Sequence, residues 1–187
     1  MPTTITGTSI SVPSGGITRG SLPSGSVIQT QYVSSATRVT SNAGTFTEPS
    51  TNYRVTITPT STTSVIILRY FIPSGFVSSY QPYYVHKTRA FRMVSGTKSY
   101  NITSSGTNNS NRPGHSGITL RPSNGYDGND PFFLAFDAID IPGTTSAVTY
   151  GFEFASGGGT LSFGYMGPDV AYGYDTNVTI TAMEVAA

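Results

Sequence analysis

From Val27 onward the chain is cut into short apolar runs, each closed by a cluster of Gly, Pro, Ser or Asn, and no stretch carries the period of an amphipathic helix. A chain punctuated in this way buries its apolar side chains only by pairing strands, so its fold class is all-β. Val27–Val33 reads as the first strand. In the next, Tyr53, Val55 and Ile57 share one face and Arg54, Thr56 and Thr58 the other, before Pro59 begins a turn. Residues 65–72 are apolar on both faces, which predicts a central strand covered on each side and ended by Pro73-Ser74-Gly75. Tyr83–Val94 follows as a longer strand, with Ser95-Gly96-Thr97-Lys98 turning it into Tyr100–Thr103. Residues 104–130 are dense in Asn, Gly, Ser and Pro apart from Ile118-Thr119-Leu120, and read as a long surface excursion. Phe132–Phe136 begins a second central strand that runs to Ile141 and stops at Pro142-Gly143. Val148, Tyr150, Phe152 and Phe154 line one face of the next, residues 156–159 turn it into Leu161, Phe163 and Tyr165, and Val178, Ile180 and Ala182 mark a last alternating strand. About eight to ten strands at this spacing predict an antiparallel β-sandwich of jelly-roll type.

The 187 residues suit one such domain, residues 26–187, preceded by an extended arm, residues 1–25, rich in Gly, Ser and Pro. Ile5, Ile10, Val12 and Ile17 are the arm's scattered apolar residues and its candidate assembly contacts. An arm of this composition is ordered only where a neighbour holds it. Cysteine is absent, which excludes disulfides, thiolate metal sites and cysteine nucleophiles, and leaves oligomerisation as the usual way to stabilise an unstapled extracellular domain. The N-terminus lacks the basic and apolar regions of a secretory signal, and no run approaches the ~20 apolar residues of a membrane-spanning helix. The expectation is synthesis in a cytoplasm, no membrane insertion, and delivery by assembly into something larger.

Charge is scarce and unevenly placed. Residues 1–121 hold all ten Lys and Arg and one acid, Glu48, whereas residues 122–187 hold the other eight acids and no base. Either the two halves neutralise each other within one sandwich, or basic and acidic surfaces of neighbouring subunits meet. Lys87, Arg89, Arg92 and Lys98 are the densest basic cluster. Lys87 and Arg89 share a strand face with Phe91 while Arg92 points the other way, which argues against a basic stripe for nucleic acid and leaves Lys87, Arg89 and Arg92 as a solvated or assembly edge.

No group of residues has the spacing of a catalytic or metal centre. His86 shares a face with Tyr84, Thr88 and Ala90 and reads as a half-buried, hydrogen-bonded imidazole; His115 lies in a loop. Asp137 and Asp140, three apart on a strand, fall on opposite faces and do not cooperate as acid and base. Asp127-Gly128-Asn129-Asp130 lacks the length and terminal Glu of a calcium loop and reads as an Asx turn. There is no Gly-x-Ser-x-Gly elbow and no phosphate-binding Gly loop followed by Lys. No catalytic residue, cofactor or metal is therefore expected. The surface signal is tyrosine: Tyr80, Tyr83 and Tyr84 around Pro82, Tyr126 in the long excursion, and Tyr172 and Tyr174 after Gly167-Pro168. Tyr offers rigid amphipathic contact area to a protein or sugar, and packs equally well under loops.

Several segments together resemble one family. Gly25-Ser26-Val27-Ile28-Gln29, the strand-turn-strand of residues 55–68 (VTITPTSTTSVIIL), the hairpin of residues 90–97 (AFRMVSGT), residues 146–150 (SAVTY) and residues 179–184 (TITAME) are similar, in this order, to a module of tailed-phage and cyanophage virion proteins, especially tail fibres. The resemblance spans residues 25–185 and implies a non-enzymatic β-sandwich exposed on a virion, made in the host cytoplasm and often trimeric. Its partners would be copies of itself, other tail or capsid proteins, and a host-surface glycan or protein. A shaft and baseplate domain would precede the module in a long fibre, where here an arm of about 25 residues stands. That suits a short fibre or tail-appendage subunit, or else a capsid decoration protein clamped by its arm. A glycan depolymerase is the third reading, and it needs convergent carboxylates.

Overall fold

The longest strand organises the molecule. The computed structural model describes residues 22–78, 85–100, 102–104, 117–120, 132–156, 160–166 and 174–186. Among them β4 (Val65–Ser78) pairs along one edge first with β14 (Val178–Val185) and then with β11 (Thr160–Phe163), and along its other edge with β9 (Phe132–Asp140). Beyond these lie β1 (Val27–Ser35) on β14, β2 (Val39–Ser41) on β11 and the short β7 (Thr103–Ser104) on β9, completing a seven-stranded sheet. A second sheet runs β3 (Val55–Ile57), β10 (Val148–Ala155), β5 (Val85–Val94) and β6 (Thr97–Ser99), with β8 (Gly117–Leu120) also on β5. A two-stranded ribbon joins β12 (Tyr165–Met166) to β13 (Tyr174–Asp175). Every one of these pairings is antiparallel, and the two large sheets stack as the β-sandwich that the alternating pattern predicts.

The core follows the two-residue period. Ile66, Leu68, Tyr70 and Ile72 of β4 and Val178, Ile180 and Ala182 of β14 face Tyr150, Phe152 and Phe154 of β10, all essentially without exposure. Tyr70 stacks on Phe136 with ring centroids 4.4 Å apart, and Phe163 tilts against Phe154 at 4.8 Å. Each fully buried side chain of this size contributes about 1.5–3 kcal/mol. Polar bridges tie the layers together. Asp140 of β9, on the large sheet, accepts from Arg92 of β5 at 2.8 Å and from the Tyr150 hydroxyl of β10 at 2.9 Å, and it is only 3% exposed. Asp137 is exposed, so the two acids do lie on opposite faces.

Four expectations need correction. β4 does not end at Pro73-Ser74-Gly75 but runs on to Ser78. Its edge pairing with β14 stops at Phe71 and that with β11 starts at Ser74, so Pro73 falls where the ladder on that edge is already interrupted and its missing N–H does no harm. Residues 65–72 are not covered on both sides: Ile66, Leu68, Tyr70 and Ile72 are buried, whereas Arg69 and Phe71 are exposed. The same holds for β9, where Phe133, Ala135, Asp137 and Ile139 are exposed. Nor is Tyr100–Thr103 the return strand of the hairpin. The turn is the two residues Ser95 and Gly96, with φ of 49° and 81°, the positive pair of a type I′ turn; the return strand is β6, and the chain then crosses to the large sheet at β7.

Residues 1–21 of the arm lie outside the described residues, but its end at Gly25 is held. Gly25 N–H donates to the Ala186 carbonyl and Ala186 N–H to the Ser26 carbonyl, each at 2.9 Å, extending the β1–β14 ladder.

Candidate functional site

The sandwich has two outer faces of opposite character. On the smaller sheet, β5 turns Arg89 and Phe91 outward beside Gly151 and Glu153 of β10. A side chain in place of Gly151 would meet the Phe91 ring at 2.6 Å, so the glycine lets that ring lie flat on the neighbouring strand. Lys98 sits 4.2 Å above the ring centroid and Arg54 at 5.9 Å, and Phe91 has no exposure despite pointing away from the core. The Arg89 guanidinium packs against the rings of Phe46 at 4.1 Å and Tyr100 at 3.8 Å. Ion pairs close the layer: Arg89 to Glu153 at 2.7 Å, Lys98 to Glu153 at 3.1 Å and to Glu48 at 2.9 Å, and Arg54 to Glu48 at 2.6 Å.

Burial alone would raise the Glu48 carboxyl, but the hydrogen bonds from Arg54 and Lys98 outweigh it and hold the group below the usual carboxylate range. Lys98 is held above the usual ammonium range, because its bonds to Glu48 and Glu153 outweigh the burial that would lower it. Held ionised and already engaged, Glu48 has no proton to give at neutral pH. Tyr70 and Tyr150 are raised far above the ordinary phenol, first by burial and then by the Asp140 charge. Both therefore remain hydrogen-bond donors. Among the described residues no three His, Cys, Asp or Glu side chains converge as metal ligands would.

The outer face of the larger sheet carries little polarity by comparison. Phe71 of β4 and Phe133 of β9 stack with centroids 5.7 Å apart and are 43% and 59% exposed. Ile139, Ile141, Val27 and Tyr32 are also exposed on this sheet or at its end. Their only charged company among the described residues of β4 and β9 is Arg69 with Asp137, paired across the two strands at 3.2 Å in open solvent. Between them Ala135, too small to fill its place, leaves a hollow of about 230 Å³ bordered by Arg69, Phe71 and Asp137. Large apolar side chains gathered in solvent on one face in this way mark a contact surface.

The residues singled out in the sequence fall differently. Tyr174 is 78% exposed on β13, next to Asp175, which pairs with Arg38 at 2.7 Å. Tyr80, Tyr83, Tyr84, Tyr126 and Tyr172 lie outside the described residues, as do Ile5, Ile10, Val12 and Ile17, the Asp127 loop and His115; of His86 only the backbone, in β5, is described. Arg89 and Arg92 are engaged within the chain by Glu153 and Asp140, and Lys87 is half-buried on the same sheet. Half of the cations meet the acidic end of the chain within one molecule: Arg38, Arg69, Arg89, Arg92 and Lys98 each pair with an acid from the C-terminal third. Phe71, Phe133, Ile139 and Ile141 were not among the candidates. Their signal, an apolar second face on two strands, was present, but it reads equally as a face covered by the chain itself.

Compared with family models and with curated proteins, the chain matches none.

Proposed function

We propose that this protein is a non-enzymatic structural subunit of a bacteriophage virion, of tail-appendage type, which assembles through the bare face of its larger sheet and presents its loops to the host surface. The observation that carries the reading is that face, with Phe71, Phe133, Ile139 and Ile141 in solvent beside one ion pair among the described residues of its two strands. An aromatic and aliphatic surface with almost no net charge is suited to another protein surface and not to nucleic acid, which demands a basic one. The resemblance of residues 25–185 to tail-fibre modules supplies the setting, and the exposed Tyr174 is one residue that a glycan or protein of the host would meet.

Location in a particle tests the reading. Virus-sized particles purified from cultures expressing the gene are labelled with an antibody to the chain and viewed by electron microscopy. Label at the tail is the expected result, with adsorption to host cells blocked by the antibody. Label over the whole head, at hundreds of copies, would replace the tail assignment with capsid decoration. Particles without the protein would overturn the proposal.

A further inference from the structure

The exposed rows of the large sheet match one another across a symmetry axis. In the register of β4 and β9, Ile67 lies beside Ile139, Arg69 beside Asp137 and Phe71 beside Ala135. A two-fold axis lying along the strands, between β4 and β9 and just above the sheet, turns a second copy face down with its β4 over this β9. Because such an axis preserves position along the strand, each row then meets its own complement: Arg69 faces the partner's Asp137, Ile67 the partner's Ile139, and Phe71 the partner's Ala135. The last match sets a large ring over the hollow of about 230 Å³ that Ala135 leaves. We propose that this face binds a second copy of the same chain in that two-fold arrangement.

Three observations favour a second copy over another partner. The face carries one cation and one anion side by side, so its own two-fold image is its charge complement. The outward residue beside Phe71 is the small Ala135, so in this arrangement the ring of each copy meets the hollow of the other. Finally, the exposed parts of Phe71, Phe133, Ile139 and Ile141, with the half-buried Val65 and Ile67, present about 500 Å² of apolar surface. That is close to the apolar share of a standard interface of about 800 Å² per partner.

The inference names the partner for the assembly face proposed above, and rests on that reading only for its setting. Its test uses the purified chain, so absence from particles leaves it standing, and failure here leaves the particle location standing. Sedimentation equilibrium at about 100 µM, well above the dissociation constant of a standard interface, is expected to give twice the chain mass of 19.7 kDa. R69D places two acids opposite each other across the axis, and D137R two bases; each alone is expected to weaken association at least about tenfold. Mixing the two variants restores opposite charges at both contacts and is expected to restore the dimer, which an ion pair serving only within one chain would not do. Phe133→Ser, at an exposed site, provides a second disruption independent of charge. A wild-type chain that sediments as monomer or trimer, or reversal variants that stay monomeric when mixed, would overturn the proposal.

Discussion

Two glycines with positive φ show how differently single residues are constrained. Gly96, at φ +81°, has nothing within 4 Å of where a Cβ would stand. Gly164, at φ +75°, would place a Cβ 2.1 Å from the Thr37 carbonyl oxygen and 2.8 Å from the Tyr53 hydroxyl. That carbonyl is also the acceptor of the Tyr53 hydroxyl, so it has no room to retreat. Gly96→Ala therefore loses only the left-handed backbone preference, about 1–2 kcal/mol, whereas Gly164→Ala is expected to lose more than about 3 kcal/mol in urea unfolding. Glu184 gives a second expectation, in pH. Its carboxylate has no exposure and accepts from Gln29 Nε2 at 2.6 Å, from the Thr60 N–H and hydroxyl at 2.7 Å each, and from the Ser64 hydroxyl. Burial raises its pKa, but these donors outweigh burial and hold it below the ordinary carboxylate value of 4.5. With the folded pKa depressed, the unfolded state binds the proton first as pH falls. The stabilisation is thus complete above about pH 5 and is lost as pH drops through the folded pKa. Glu184→Gln is expected to cost about 1–3 kcal/mol at pH 7, and the gap to wild type should narrow steadily below pH 4.5 in urea titrations.

At the scale of strands, the period-2 pattern was enough to place β1, β3, β5, β10 and β14, because alternation and turn residues are local properties. What lies on a strand's second face is not local. Residues 65–72 read the same whether the outward side of Ile67 and Phe71 is covered by the chain, by a second copy or by water. Charge pairing was equally hidden: Arg89 and Glu153 are 64 residues apart and meet only because β5 and β10 pair in one register. Pro73 reads locally as a strand end for a related reason, since whether it ends one depends on where two other strands stop and start along its edge. The Arg89–Glu153 contact carries its own prediction. Glu153 is 5% exposed, so Arg89→Ala strips a buried carboxylate of one partner while Lys98 and the Tyr100 hydroxyl remain. A loss of about 3 kcal/mol is expected, with a double-mutant cycle against Glu153→Ala giving a coupling of about 2 kcal/mol. A coupling near zero would mean that aromatic stacking on Phe46 and Tyr100, and not the ion pair, holds Arg89 in place.

The whole molecule is closed by its last strand. β14 lies between β1 and β4, turning Val178, Ile180, Ala182 and Glu184 into the core with no exposure. Among the described residues it is the one strand paired with β1, and its Glu184 carboxylate anchors the 60–64 turn. An edge strand can be lost with only its own contacts, but without β14 the sheet splits: among the described residues β1 keeps no strand partner and β4 keeps only β11 on that edge. Contacts of this kind join the two ends of the sequence, so the large sheet cannot be completed until the C-terminal residues are in place, and refolding is expected in the slow range for β-sandwiches, about milliseconds to seconds. Deleting residues 178–187 should therefore abolish cooperative unfolding, in contrast to the graded loss that trimming an edge strand brings. Adding a synthetic peptide of residues 178–187 in excess should restore the cooperative transition, since the gap between β1 and β4 offers unpaired backbone on both sides. A truncated chain that still unfolds in one sharp step by circular dichroism would show that the other strands form a stable sandwich without it.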